Sequence, residues 1–376
     1  MNTPSVRSAT RRGLPRLPGG AVDTWPVQFS GDADDYAAIW LQGAILSLLS
    51  LGLYLPWARL RCRRYLLQHT RVAGQSVDDH GSPLPMLVRQ LLACSLAGAV
   101  ALAAQGSPLM GLLALTLGLL SWPLLWLAGV SHRANRLSWG NRPLGLQGCV
   151  AGVYRAWGPP LLAVTGLLWS AWGLHRVGVG VGPAAWAVWG LAGGLCALSV
   201  PPAVWRLWHW RQSHARLGPL RLRWQASRRS VWALCCQVLA RGALMGLMWL
   251  GLLALALAGA RLSGGAVPLT WVWVAAALAA VLLALLQWWQ WQARRFRLVW
   301  DQTGNRCLRF RCTLSPSALT GMHLRHAVLV LCTAGVYWPW AQIESWQAHA
   351  GATVLRSRVS VRTLTRHWPA RRSALG

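Results

Sequence analysis

Carboxylate chemistry in this 376-residue chain rests on eight side chains: Asp23, Asp32, Asp34, Asp35, Asp78, Asp79, Asp301 and Glu344. None falls in the middle of an apolar run, so a carboxylate relay of the kind that proton-driven transporters use has no obvious members. Nine cysteines and ten histidines raise metal binding next. There is no Cys-x-x-Cys and no His-Glu-x-x-His, and the nearest spacings, Cys307 with Cys312 and His323 with His326, lack further ligands. Cys94, Cys196, Cys235, Cys236 and Cys332 sit in apolar runs, where cysteine behaves as a small hydrophobe. A phosphate loop needs lysine, and all 37 basic residues are arginine; a Gly-x-Ser-x-Gly elbow is also missing. These residues predict no enzyme, no metal site and no cofactor.

Cations near membrane depth are the better lead. Arg241, His323, Arg325 and His326, with Gln42, form a candidate intramembrane polar site. Two readings apply: the groups snorkel to an interface, as Arg89 near a helix end does, or they line an internal site suited to an anion. Arg59, Arg61, Arg63, Arg64, Arg221, Arg223, Arg228 and Arg229 are candidate contacts for anionic lipid headgroups, each worth about 1 kcal/mol near the surface. The plainer reading of these arginines is that they set topology.

The elements that carry these residues follow from composition. The chain is 55% hydrophobic and 12% charged, with net charge +29, 27 tryptophans and 3 phenylalanines. A soluble domain averages roughly 45–50% apolar and about 25% charged residues. Apolar stretches run over 37–58, 86–104, 108–130, 158–174, 183–204, 231–260, 268–292 and 318–341. Each is expected to be a helix, because water is absent from a bilayer core and the backbone must satisfy itself. The pattern predicts an all-α polytopic membrane protein with six transmembrane helices, two terminal apolar helices that make six to eight spans, and short cytoplasmic β-like segments. Loops 59–85, 131–157, 205–230 and 293–317 hold 22 arginines, whereas the alternate loops 105–107, 175–182 and 261–267 hold two. The first set is therefore expected in the cytoplasm. That partition also sets aside nucleic acid as the reason for the charge.

Residues 1–26 read as a basic, flexible N-terminal tail without a signal peptide, 27–360 as one membrane domain, and 361–376 as a basic C-terminal tail. Within the domain the ends echo each other. Gly52-Leu53-Tyr54-Leu55-Pro56-Trp57-Ala58 matches Gly335-Val336-Tyr337-Trp338-Pro339-Trp340-Ala341 at five of seven positions. A weaker third copy stands at Val200-Pro201-Pro202. In each, glycine and proline are expected to end a helix at the interface, with aromatic rings as anchors, rather than to form the tip of a re-entrant loop. A second recurrent element, an apolar alternation around a glycine turn, appears after Phe29, from Asn135 to Tyr154, from His214 to Trp232 and from Gly304 to Cys312. It predicts short strands that pair into a small cytoplasmic β-layer beneath the helices.

With these motifs in view, FSGDADDYAAIW, LSLGLYLPWARLRCRRY, RANRLSWGNRPLGLQG, SHARLG, LRFRCTLSPSAL and TAGVYWPWA, the chain resembles the YjgN-like bacterial inner-membrane proteins over about residues 27–360. The resemblance implies a bacterial inner-membrane, multi-spanning helical protein and supplies no reaction or substrate. Gln42 and Arg325 stand where such proteins tend to have Asn, and Gln342, Glu344 and Gln347 replace Arg59, Arg61 and Arg64 of the first copy. The expected function is a permease or channel-like protein for a small neutral or anionic solute; the alternative is a membrane scaffold that interacts with lipid. The expected partners are the bilayer, with anionic lipids, and a small solute, and not nucleic acid.

Overall fold

The computed structural model describes residues 22–176, 182–218, 220–262, 269–305 and 307–368. Most of the expected N-terminal tail, parts of two arginine-poor loops, Arg306 and residues 369–376 lie outside them. Among the described residues, a unit of strand, helix, helix and returning strand recurs five times. The first unit is β1 (Asp23–Phe29), α1 (Ala33–Leu49), α2 (Leu55–Gln68) and β2 (Thr70–Val72). The second is β3 (Gln75–Asp79), α3 (Leu84–Gly106), α4 (Pro108–Asn135) and β4 (Leu137–Trp139). The third is β5 (Arg142–Leu146), α5 (Val150–Arg176), α6 (Pro183–Ser213) and β6 (Ala215–Leu217). After β7 (Leu220–Arg221), the fourth is β8 (Arg223–Trp224), α7 (Arg228–Leu262), α8 (Leu269–Asp301) and β9 (Thr303–Gly304). The fifth is β10 (Leu308–Cys312), α9 (Pro316–Cys332), α10 (Trp338–Gly351) and β11 (Thr353–Ser357), followed by α11 (Val361–His367).

One hydrogen bond repeats in every unit. The residue after each outgoing strand, Ser30, His80, Gln147, Gln225 and Thr313, donates its N–H to the carbonyl before each returning strand, on His69, Arg136, His214, Gln302 and Ala352, at 2.9–3.2 Å. This bond gathers the two helix bases of a hairpin and sets its strands side by side. The sheet order is β7-β6-β5-β4-β3-β2-β1-β11-β10-β9-β8, antiparallel throughout. Its two outermost strands, β7 and β8, are halves of one segment broken at Leu222, so the sheet returns on itself as a ring. Closure leaves no long unpaired edge. Turns at Ala73-Gly74 and Gly140-Asn141, all with positive φ, supply the tight hairpin geometry that matches strand twist.

Cross-strand registers separate the two faces of the ring. Phe310, Leu355 and Trp25 pair in a row, as do Val77 with Trp139 and Leu144 with Leu217 and Leu220. These side chains form one core, into which α11 and the residue after it insert Leu364 and Trp368. Trp368 stacks on Trp139 at 5.7 Å, and its carbonyl accepts from Arg142 Nε at 2.6 Å. The segment expected as part of a C-terminal tail is thus folded as far as residue 368. The outer face carries arginines, among them Arg71, Arg221, Arg223, Arg309 and Arg356, all exposed.

The expected all-α class is corrected by this sheet. The molecule is a helical membrane protein by bulk, and among the described residues four helices, α3, α4, α7 and α8, are long and apolar enough to cross a membrane. The strands were only partly legible because most of their partners lie a whole helical hairpin away. Gly52 to Ala58 and Gly335 to Ala341 end a helix, as expected, but each also opens a second one and is the tip of a helical hairpin whose two ends both return to the ring. Gly52 (φ +86) and Gly335 (φ +94) end the ascending helices in the left-handed region, and their N–H groups donate to Ser47 and Val330 carbonyls, both at 2.7 Å. Ser50 Oγ and Thr333 Oγ1 then accept from the Tyr54 and Tyr337 N–H groups at 2.9 and 3.0 Å, and proline opens the descending helix. Pro201 and Pro202, by contrast, lie inside a continuous α6 and end nothing. The register of the third copy nevertheless holds. Pro56, Pro123, Pro201 and Pro339 each stand fourteen positions before the next strand, at Thr70, Leu137, Ala215 and Thr353. In α4 and α6 the helix extends through the proline to make a longer hairpin.

Candidate functional site

The descending helix of each unit meets the ring at its base, and four of these bases bring arginines together. Arg133 of α4 and Arg211 of α6 occupy the same register, four positions before β4 and β6. Arg133 lies within electrostatic reach of Arg63 on α2 and of Arg211, and Arg211 within reach of Arg295 on α8. Arg89 of α3 joins them through Arg133 and Arg59. These guanidinium groups come from four consecutive units and repel one another; Arg133 and Arg211 are exposed, and Arg63 and Arg295 are half-buried. Arg59 and Arg63 also line a cavity of about 540 Å³ between α1, α2 and α10, with Tyr36, Trp40, Gln342 and Trp346.

Counter-charge at this vestibule is sparse. Arg63 Nε lies 3.2 Å from Asp79 Oδ2, an ion pair, while its Nη1 is buried without a hydrogen-bond partner among the described residues. Arg133 Nε donates to the Gly129 carbonyl at 3.0 Å and Arg295 Nη2 to Gln292 Oε1 at 2.8 Å. Neutral acceptors orient a guanidinium without cancelling its charge. Such an array can receive a small anion through charge-assisted hydrogen bonds, which are shorter and stronger than neutral ones.

The candidate intramembrane residues divide between two places. Arg325 pairs with Glu344 across the α9–α10 hairpin, and His326 Nε2 meets the other carboxylate oxygen at 2.8 Å. His323 stacks on Trp289 of α8 at 5.6 Å, and Arg241 Nη1 donates to Gln290 Oε1 of α8 at 3.2 Å. Of these four, His323 and Arg241 border α8, whereas Arg325 and His326 are held by Glu344 of α10. Gln42 lies apart, in the first hairpin, where Arg61 Nη1 reaches its Oε1 at 3.5 Å. Gln42 and Arg325 each stand ten residues before the tip glycine, and Arg61 and Glu344 nine after it. The two short hairpins thus carry the same cross-hairpin contact with the cation exchanged between helices. Glu344 was missed because its partner positions are set by the hairpin and not by local spacing.

The candidate lipid contacts also separate. Arg63 is tied to Asp79, and Arg64 donates to the carbonyls of Asp79 and Gly81 at 3.0 and 2.7 Å; both brace α2 against the start of α3 and are not free for a headgroup. Arg59 faces the cavity and Arg61 leans over the Tyr54 ring. Arg228 covers Trp205 at 4.8 Å, while Arg221, Arg223 and Arg229 are exposed. Among the ring groups, burial pushes the Cys312 thiol up, which keeps it protonated and unreactive near neutral pH.

Comparison with known proteins identifies the family of the chain. Residues 24–376 match the family described as bacterial protein of unknown function, DUF898, and the chain belongs to that family. Two relatives, each named inner membrane protein YjgN and coming from Escherichia coli strain K12 and Escherichia coli O157:H7, are 40% identical to it over 47 residues. The matched segment spans 12% of this chain and 12% of each relative. No solved structure matches. The chain is an inner-membrane protein of the YjgN-like type.

Proposed function

We propose that this protein is a non-enzymatic permease or channel for a small anion, with the arginine vestibule as its cytoplasmic mouth. The observation that carries the reading is the mutual approach of Arg63, Arg133, Arg211 and Arg295 from four units, with Asp79 the one carboxylate paired to any of them among the described residues. Unbalanced like charges brought together at the base of membrane helices cost stability, and an anion in transit would offset that cost.

The membrane placement in this proposal comes from tryptophan belts. On α6 Trp189 and Trp205 are about 24 Å apart by helix rise, and on α8 Trp271 and Trp289 are about 27 Å apart, close to the hydrocarbon thickness of roughly 30 Å. The slab between them is crossed six times, by α3 to α8. The inner belt stands level with the prolines and with the tips of the two short hairpins. Leu48, Leu49, Leu51 and Leu53 on one tip, and Leu331, Val336 and Trp338 on the other, are exposed, Leu51 to 95%. In this reading the tips dip into the inner leaflet and do not cross, both ends of the chain face the cytoplasm, and Arg241 sits at the inner interface.

The test is flux. Protein reconstituted in liposomes should pass small anions, and Arg211→Gln or Arg133→Gln should reduce the rate at least tenfold while leaving insertion intact. If neither variant changes anion flux, or if the wild type moves no anion, the reading fails. A second reading, a scaffold that holds anionic lipid, is favoured by the exposed apolar tips. Joint replacement of Arg221, Arg223, Arg228 and Arg229 by Gln should then weaken binding to anionic vesicles.

A further inference from the structure

A second basin, separate from the vestibule, lies on the outer face of the strand ring. It spans β8 to β11, the part of the ring where two strands, β8 and β9, are only two residues long. In register across this face stand Arg223, Gly304, Arg309, Arg356 and Thr24, one per strand. Arg309 and Arg356 are directly opposite each other, an arrangement of like charges that destabilises a sheet. Arg311, two positions further along β10, and Arg358, just past the end of β11, line the same basin. All four of these side chains are exposed and line a cavity of about 340 Å³, which Gln225 and Gln302 border with amide groups. Gly304 is buried at its floor between two arginines, where a Cβ would meet the Leu308 carbonyl at 2.9 Å. Among the described residues no carboxylate pairs with Arg309, Arg311, Arg356 or Arg358.

We propose that this basin binds a soluble, phosphate-bearing polyanion, such as a diphosphate group, and that the bound anion clamps the short-stranded seam of the ring. Adjacent strands are about 4.8 Å apart, so guanidinium groups one and two strands apart can grip neighbouring phosphates of one chain. A carboxylate ligand would satisfy fewer of the donors, because four arginines in fork geometry match several phosphate oxygens. Membrane headgroups carry the same phosphate chemistry, but the basin lies below the helix bases. Trp289 is about 18 Å further up α8 by helix rise, beyond the roughly 8 Å over which surface charge acts at physiological salt.

The experiment uses full-length protein in nanodiscs of uncharged lipid, with inorganic pyrophosphate as the probe and ionic strength held constant with chloride. Pyrophosphate should bind at one site and raise the thermal midpoint. Arg309→Gln with Arg356→Gln should weaken binding about a hundredfold, as the loss of two charge-assisted contacts implies. The exposed pair Arg362→Gln with Arg366→Gln removes the same charge outside the basin and should leave binding unchanged. Since both basin arginines are exposed, a normal elution profile and unliganded midpoint are expected of the variant; Arg311→Gln with Arg358→Gln provides an independent second pair with the same expected loss. The proposal is overturned if pyrophosphate does no more than chloride, if the control pair loses as much affinity as the basin pair, if Arg211→Gln alone abolishes binding, or if only anionic vesicles bind.

Discussion

Asp79→Ala is the most telling single perturbation, because one buried carboxylate braces the junction between the first two units. Its Oδ2 stands 3.2 Å from Arg63 Nε, its Oδ1 accepts the Gly81 N–H at 2.8 Å, and its side chain is 1% exposed. Alanine strands the Arg63 cation and leaves the Gly81 N–H unmet. Breaking a buried ion pair from one side costs about 3–5 kcal/mol. Arg63 is 25% exposed and can relax toward the vestibule, so the lower end, about 3 kcal/mol, applies. The two Arg64 bonds to backbone carbonyls remain and hold α2 in place. Adding Arg63→Met removes the stranded charge and leaves only the unmet N–H, worth about 1–2 kcal/mol. The double variant should therefore be more stable than Asp79→Ala alone by about 1–2 kcal/mol. Unfolding of the three proteins in detergent and urea, followed by tryptophan fluorescence, measures this. A double variant less stable than the single one, or a single variant within 0.5 kcal/mol, roughly a surface-substitution effect, of the wild type, refutes the account of the junction.

Three other outcomes are expected. Gly218→Ala should destabilise the protein more than Gly335→Ala: both glycines have positive φ, but a Cβ on Gly218 would come within 2.4 Å of the Trp368 ring, whereas nothing lies near Gly335; comparative melting decides. Limited proteolysis of Gly218→Ala should release the segment around α11 first. Glu344→Gln should cost no more than about 1 kcal/mol, because Arg325 and Glu344 are 58% and 40% exposed, and a larger loss in thermal melting would show that the short hairpin depends on the pair. Reporter proteins fused at either end of the chain should both register the cytoplasm; a periplasmic signal from either would remove the half-length placement of the outer hairpins.

The hydrophobic runs and the repeat at Gly52 and Gly335 were legible because both are local properties of the chain: twenty apolar residues form a helix wherever the backbone lacks water, and a glycine followed by proline must turn. The strands around Trp139, Leu217 and Phe310 were legible in part for the same reason, since a period of two shows within five residues. The β2–β3 hairpin at 70–79 and β11 were not, being short and half polar. Arg133, Arg211 and Arg295 looked like ordinary topology-setting arginines, and Glu344 like a residue beyond the membrane.

By itself the sequence determined the class of solvent and the helices: an apolar content of 55% with arginine concentrated in alternate loops admits few homes besides a bilayer. What only the tertiary structure decided is the ring. Its pairings join residues as far apart as Asp23 and Ser357, and no local pattern encodes which distant strand a three-residue strand will meet. Closing the ring sets five sequential hairpins side by side, and that closure gathers arginines scattered in the sequence, Arg133 near Arg211 at the helix bases and Arg309 opposite Arg356 across two strands.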